Sequence, residues 1–255
     1  LPCLRPQDFQ PGAGSGIMPY LRALAAVPNV AFVSKQTRRD YKERIMHGHG
    51  RHGPVISLGY DGLGIAHQQF TPARRHYLAL GTIERRKNLV AVLEAFAGLW
   101  ANGCEAELTI IGRLLDSGDR EAEWLERLRN EPRLHYLGHA DDKTLREALA
   151  TTRAIISVSK QEGFGLVPVE ALHAGIPVIV WPQIPSIVDL PSTGQIRLAA
   201  PTAPAIAEAV RSLQDNATAA RLWQEAAGFP SRLWSDFARD IAAWAEAMPL
   251  PGARE

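Results

Sequence analysis

Between Tyr77 and Trp181 the chain follows one pattern: a short apolar run, then a longer amphipathic stretch, then another apolar run. The apolar runs are Tyr77–Leu80, Glu107–Ile111, Leu134–Leu137, Ala154–Val158 and Pro177–Trp181. Each is short and mainly apolar, as strands of a sheet covered on both faces are. The stretches between them, Leu89–Trp100, Glu121–Arg129, Asp142–Ala150 and Pro168–His173, carry the 3.6-residue period of helices. Strands that alternate with helices pair in parallel, and right-handed crossovers put helices on both faces. The expected class is α/β, a Rossmann-like doubly wound sheet.

The flanks are less regular. Residues 1–28 are rich in Pro and Gly and read as loop plus a short helix near Tyr20–Ala26. The PGAGSG at 11–16 follows no convincing strand, so it reads as a flexible loop rather than a phosphate loop. Val30–Val33 and Pro54–Leu58 read as strands around a basic helix, Thr37–His47, and GYDGLG follows as a connector. Thr202–Met248 reads as three Ala-rich helices, broken near Asn216 and Gly228–Pro230. The expected division is 1–72, 73–232 and 233–255. The first piece is too short and loop-rich to fold alone, and looks like the tail of a domain whose front lies outside this chain.

Composition excludes several classes. A formal net charge of +1 in 255 residues gives no field for nucleic acid. No apolar run reaches the ~20 residues that span a bilayer. Cys3 and Cys104 form neither a disulfide framework nor a zinc cluster and fit a reducing compartment. His47, His49 and His52 lie close in sequence, but their spacing fits no metal site and suits a solvated loop. Asp141 and Asp142 are adjacent rather than alternate, which suits a helix cap, not a metal motif.

Chemistry concentrates in SKQEGFGLVPVEALHAGIPVIV, Ser159 to Val180, just past the C-terminal end of the Ala154–Val158 run. Open parallel sheets bind ligands at that edge. The glycines of EGFGL allow a tight turn, and Pro168 suits the first position of the following helix. The amides of Gly165, Leu166 and Val167 then point outward as an anion site suited to a diphosphate. Glu162 and Glu170 flank this turn, seven residues apart. Carboxylates repel phosphate but accept bonds from sugar hydroxyls, so the pair could hold a sugar and a ribose. Glu170 fits equally as a cap partner at a helix start.

EGFGLVPVEALHAGIPVIV resembles the Glu-x7-Glu signature of a large family of retaining GT-B glycosyltransferases. This is family four, the glycosyl transferases of group 1, typified by sucrose synthase and bacterial mannosyltransferases. YLALGTIERRKNLVAVLEAF, LTIIGR and LHYLGHADDKTLREALATTRAIISVS resemble the same family in the same order, VSKQTRRDY resembles the close of its N-terminal domain and ISLGYD its interdomain linker. The resemblance runs from about Val30 to Trp244. It implies the C-terminal, donor-binding domain of a GT-B fold with a remnant of the N-terminal domain. The last helix, about Trp234–Met248, would cross back toward that N-terminal domain. Epimerases of related architecture are not expected to carry the Glu-x7-Glu pattern.

The resemblance also implies roles. Arg86 and Lys87 would hold the donor diphosphate, and Glu162 would orient the donor sugar. The amides of Gly163, Phe164, Gly165, Leu166 and Val167 would line the sugar and phosphates, and Glu170 would hold the ribose. Arg113 and Tyr136 would lie near the base. One departure stands out: many members have Arg directly after the Gly of the first loop, where this chain has Thr82. No metal or other cofactor is implied. The implied donor is a nucleoside-diphosphate sugar, GDP-mannose first, and the acceptor a glycan or lipid-linked glycan. The setting would be surface polysaccharide or lipopolysaccharide synthesis in the cytoplasm or at the inner face of the membrane, with peripheral membrane contact and a missing N-terminal domain or partner chain.

Overall fold

The computed structural model describes residues 16–46, 53–115 and 119–248. The loop at 11–15, Cys3 and the histidines His47, His49 and His52 lie outside the described residues. Six strands form one all-parallel sheet: β1 His76–Leu80, β2 Glu107–Ile111, β3 Leu134–Tyr136, β4 Thr152–Ser157, β5 Val178–Val180 and β6 Gln195–Arg197. Their spatial order is β3-β2-β1-β4-β5-β6. The chain therefore reverses its direction of travel across the sheet between β1 and β4. The C-terminal ends of those two strands frame the crevice where such sheets bind ligands.

The helices are α1 Ile17–Ala25, α2 Lys35–Arg44, α3 Leu89–Ala101, α4 Asp119–Arg127, α5 Asp142–Thr151, α6 Leu166–His173, α7 Ala203–Gln214, α8 Asn216–Ala227 and α9 Trp234–Glu246. Successive residues along a strand face opposite sides of the sheet. Tyr77 packs with Phe96, Leu99 and Val210 on one face, and Leu78 with Ile155, Leu172 and Ile176 on the other. Tyr77 and Leu78 are both 0% exposed, so both faces of β1 are covered.

Several expected elements change. Val30–Val33 and Pro54–Leu58 do not extend as strands. They meet in a single parallel bridge, Phe32 to Val55, because neither run has a further partner among the described residues. The basic helix begins two residues before Thr37, since Ser34 caps it by accepting from Thr37 N at 3.0 Å. Pro168 is the third residue of α6, not the first, because Gly165 takes the cap position at φ +91°. β6 is an addition: Gln195–Arg197 is too short and polar to show as a buried strand, and it pairs on the outside of β5.

The C-terminal segment folds onto the 57–61 connector. Tyr60 N donates to Arg232 O at 2.7 Å, Arg232 Nε to Ser57 O at 2.9 Å, and Trp234 N to Asp61 Oδ1 at 2.8 Å. None of the residues of α9 is buried, and its first residue Trp234 and the preceding Leu233 are exposed. No helix among the described residues is long and apolar enough to cross a membrane.

Candidate functional site

Two loops meet at the crevice. The loop after β1 runs Gly81–Asn88 and closes in a 3-10 turn, Arg85–Lys87. Asn88 ends that turn in the left-handed region, φ 60°, and its Nδ2 donates to Pro201 O at 2.8 Å. That conformation is uncommon outside glycine, and Asn tolerates it best. The loop after β4 carries Ser159–Gly165. Lys160 N donates to Arg86 O at 2.7 Å, which joins the two loops by backbone.

The side chains repeat that junction. Lys87 Nζ lies 2.6 Å from Glu162 Oε1, and Arg86 Nη1 lies 2.9 Å from Glu162 Oε2. Arg86 also donates to Gln161 O at 3.1 Å and pairs with Glu84 at 2.6 Å. Burial alone would raise the Glu162 carboxyl. The charges of Lys87 and Arg86, with a bond from Ser159, outweigh it and hold the group below the usual carboxylate range. Glu162 is therefore an ionised acceptor that can orient hydroxyls, not a proton donor.

Helix α6 starts beside this cluster. Among the described residues no side chain caps it, and the first-turn amides of Leu166 and Val167 have no acceptor inside the helix. The turn is pinned by hydroxyls. Ser34 Oγ donates to Gly163 O at 2.7 Å, and Ser186 Oγ to Gly165 O at 2.6 Å. Ser34 reaches across from the capped start of α2. Neither its capping of α2, which the expected start at Thr37 passed over, nor its contact with the Gly163 turn was read from the sequence, and the contact depends on how distant segments pack.

Glu170 sits one turn into α6 and is only 9% exposed. Burial first, and the charge of Asp61 second, push its carboxyl up to about 7. The connector packs on it so closely that a Cβ on Gly62 would overlap the Glu170 carboxylate. Asp61 and Gly62 were read from sequence only as connector.

A cleft of about 640 Å³ opens from the same edge, lined by Gly81, Thr82, Ile111, Arg113, Gly138 and Val167 among others. The structure thus gathers Arg86, Lys87, Glu162, Gly163, Phe164, Gly165, Leu166, Val167 and Glu170 around one edge, with Arg113 on the cleft wall. Phe164 is mostly buried and contributes packing to the α6 face of the sheet. Tyr136 is not brought to the cleft. It registers with Ile110, whose side chain joins the opposite, α3-facing core, so strand alternation turns Tyr136 away from the Ile111 side.

An edge at the β1/β4 reversal, bearing paired cations, an ionised carboxylate and open helix amides, defines a Rossmann-type domain of GT-B glycosyltransferase architecture. The family model "Glycosyl transferases group 1" matches residues 66–228, and the chain belongs to that family. It is 36% identical over 108 residues to the serotype-specific mannosyltransferase WbdA of Escherichia coli; the match covers 41% of this chain and 13% of that relative. It is 35% identical over 108 residues to O-antigen chain mannosyltransferase B of Escherichia coli, covering 40% and 27%. The sucrose-phosphate synthase of Thermosynechococcus elongatus shares the fold at TM-score 0.71 and 20% identity, over 91% of this chain and 61% of that one. The match therefore spans about an eighth to a quarter of the length of the two mannosyltransferases.

Proposed function

We propose that this chain holds the donor in a retaining hexosyl transfer from a nucleoside-diphosphate sugar to a glycan or lipid-linked acceptor, in surface polysaccharide or lipopolysaccharide synthesis. The observation that carries the reading is Glu162 held between Arg86 and Lys87 at the reversal of the sheet. On donor binding, the two cations and the Leu166 and Val167 amides meet the diphosphate. Glu162 keeps its charge and accepts from a sugar hydroxyl. Glu170 accepts from the ribose. As the glycosidic bond breaks, negative charge grows on the leaving diphosphate, and the cations and amides are already aimed at it. The acceptor oxygen bonds to the anomeric carbon on the face from which the diphosphate departs, and the leaving phosphate takes the acceptor proton, so the anomeric configuration is retained. These groups supply the charge stabilisation without a metal.

Mannose from GDP-mannose is the preferred donor, supported by the two mannosyltransferase relatives. A second reading is a donor-binding module that transfers nothing alone. It is favoured by α9, where no residue is buried, as for a helix that meets another domain. Transfer assays with GDP-mannose and mannose-terminated acceptors test both, with and without a supplied N-terminal domain. Product of retained configuration supports the proposal. Donor binding without turnover, even with that domain supplied, selects the module.

A further inference from the structure

The opposite edge of the sheet carries a second constellation that donor binding does not use. His76 opens β1, Glu107 opens β2 and His135 is the middle residue of β3. His76 registers with Glu107, and His135 with Thr109, two residues further along β2. In a parallel sheet those positions share one face, so all three side chains rise on the same side of adjacent strands. Both imidazoles converge on one carboxylate oxygen. His135 Nε2 is 3.0 Å and His76 Nε2 is 3.4 Å from Glu107 Oε2. All three candidate ligand atoms lie within 4.8 Å of one another.

We propose that His76, Glu107 and His135 form a binding site for one divalent transition-metal ion of the zinc type, at the N-terminal edge of the sheet. The donor set decides the ion class. Two imidazoles with one carboxylate suit zinc and its neighbours, whereas magnesium and calcium take oxygen ligands. The spacing fits as well. Bonds of about 2.0 Å in a tetrahedral site put ligand atoms roughly 3.3 Å apart, close to the two distances present. The three side chains are 27%, 29% and 40% exposed, which leaves room for water to complete the shell.

The site is a structural clip, not part of the transfer chemistry. β1 is five residues long, so its start lies about 13 Å from the donor edge at 3.3 Å per residue. An ion here would add a side-chain tie across three strands that the backbone ladders and the Glu107 contacts already join. The inference is independent of the donor reading.

Calorimetric titration of ZnCl2 into the metal-free 255-residue chain tests it, in a Cys3→Ser/Cys104→Ser background that removes competing thiols. The expected result is one ion per chain and a raised melting temperature. Cobalt(II) should give the visible absorption of nitrogen and oxygen ligation. His135→Ala and the near-isosteric Glu107→Gln should each weaken zinc binding at least ~10-fold, equivalent to ~1.4 kcal/mol. Circular dichroism of the metal-free variants checks that they fold. No zinc binding by the parent chain overturns the proposal. So does equal binding by folded His135→Ala and Glu107→Gln, which would place the ion elsewhere, for example on His47, His49 and His52.

Discussion

Replacing Glu170 with Gln isolates the one buried carboxyl of the site that is held in its protonated range. Its ordinary value is 4.5 and its folded value about 7, so the unfolded chain releases this proton first as pH rises. Between those values the folded state binds more protons than the unfolded state, and stability falls with increasing pH. Each tenfold change in proton concentration is worth about 1.4 kcal/mol. The group's stabilisation is complete below pH 4.5 and fully lost above about 7. From pH 5.5 to 8.5 the wild type should lose about 2 kcal/mol relative to Glu170→Gln, which cannot ionise. Urea unfolding of both chains across that range measures the difference directly, and other titrating groups cancel. Asp61→Asn should reduce the slope without abolishing it, because burial is the larger cause. A pH-independent difference between wild type and Glu170→Gln would refute the buried, protonated Glu170.

Two further substitutions test the turn. Gly165→Ala places a Cβ in a left-handed conformation and against Ile184 Cγ2. Strain of ~1–2 kcal/mol and overpacking of ~1–3 kcal/mol should together cost about 2–5 kcal/mol in urea unfolding. Ser34→Ala removes the α2 cap and the bond to Gly163 O. About 1 kcal/mol of stability should go with the cap. Nucleotide affinity, read by calorimetry, should fall several-fold as the turn loosens, and unchanged affinity would mean that Ser34 does not position it.

The central sheet was legible because β1, β2, β4 and β5 are apolar runs covered on both faces, and such runs have few other folds available. The site was legible because its residues cluster at strand ends: Arg86 and Lys87 after β1, and Glu162 to Val167 after β4. What escaped is tertiary. Nothing local in Gln195–Arg197 marks an edge strand, and nothing in Val30–Val33 shows that its pairing stops at Phe32. Tyr136 looked available to the base, yet its register with Ile110 turns it to the other face. The raised Glu170 carboxyl depends on Asp61 and Gly62, more than a hundred residues earlier in the chain.

Calorimetry of GDP-mannose binding to wild type, Lys87→Ala and Glu162→Ala tests the donor edge most directly. On the proposed reading, Lys87→Ala removes a cation that meets the diphosphate, and Glu162→Ala removes the carboxylate that orients the sugar. Each should weaken binding at least ~10-fold, about 1.4 kcal/mol, in chains that remain folded. The same series with UDP- and ADP-sugars should give weaker wild-type binding. No binding of any nucleotide sugar by the wild type, or equal affinity in all three chains, would contradict a donor site built from Glu162, Arg86 and Lys87.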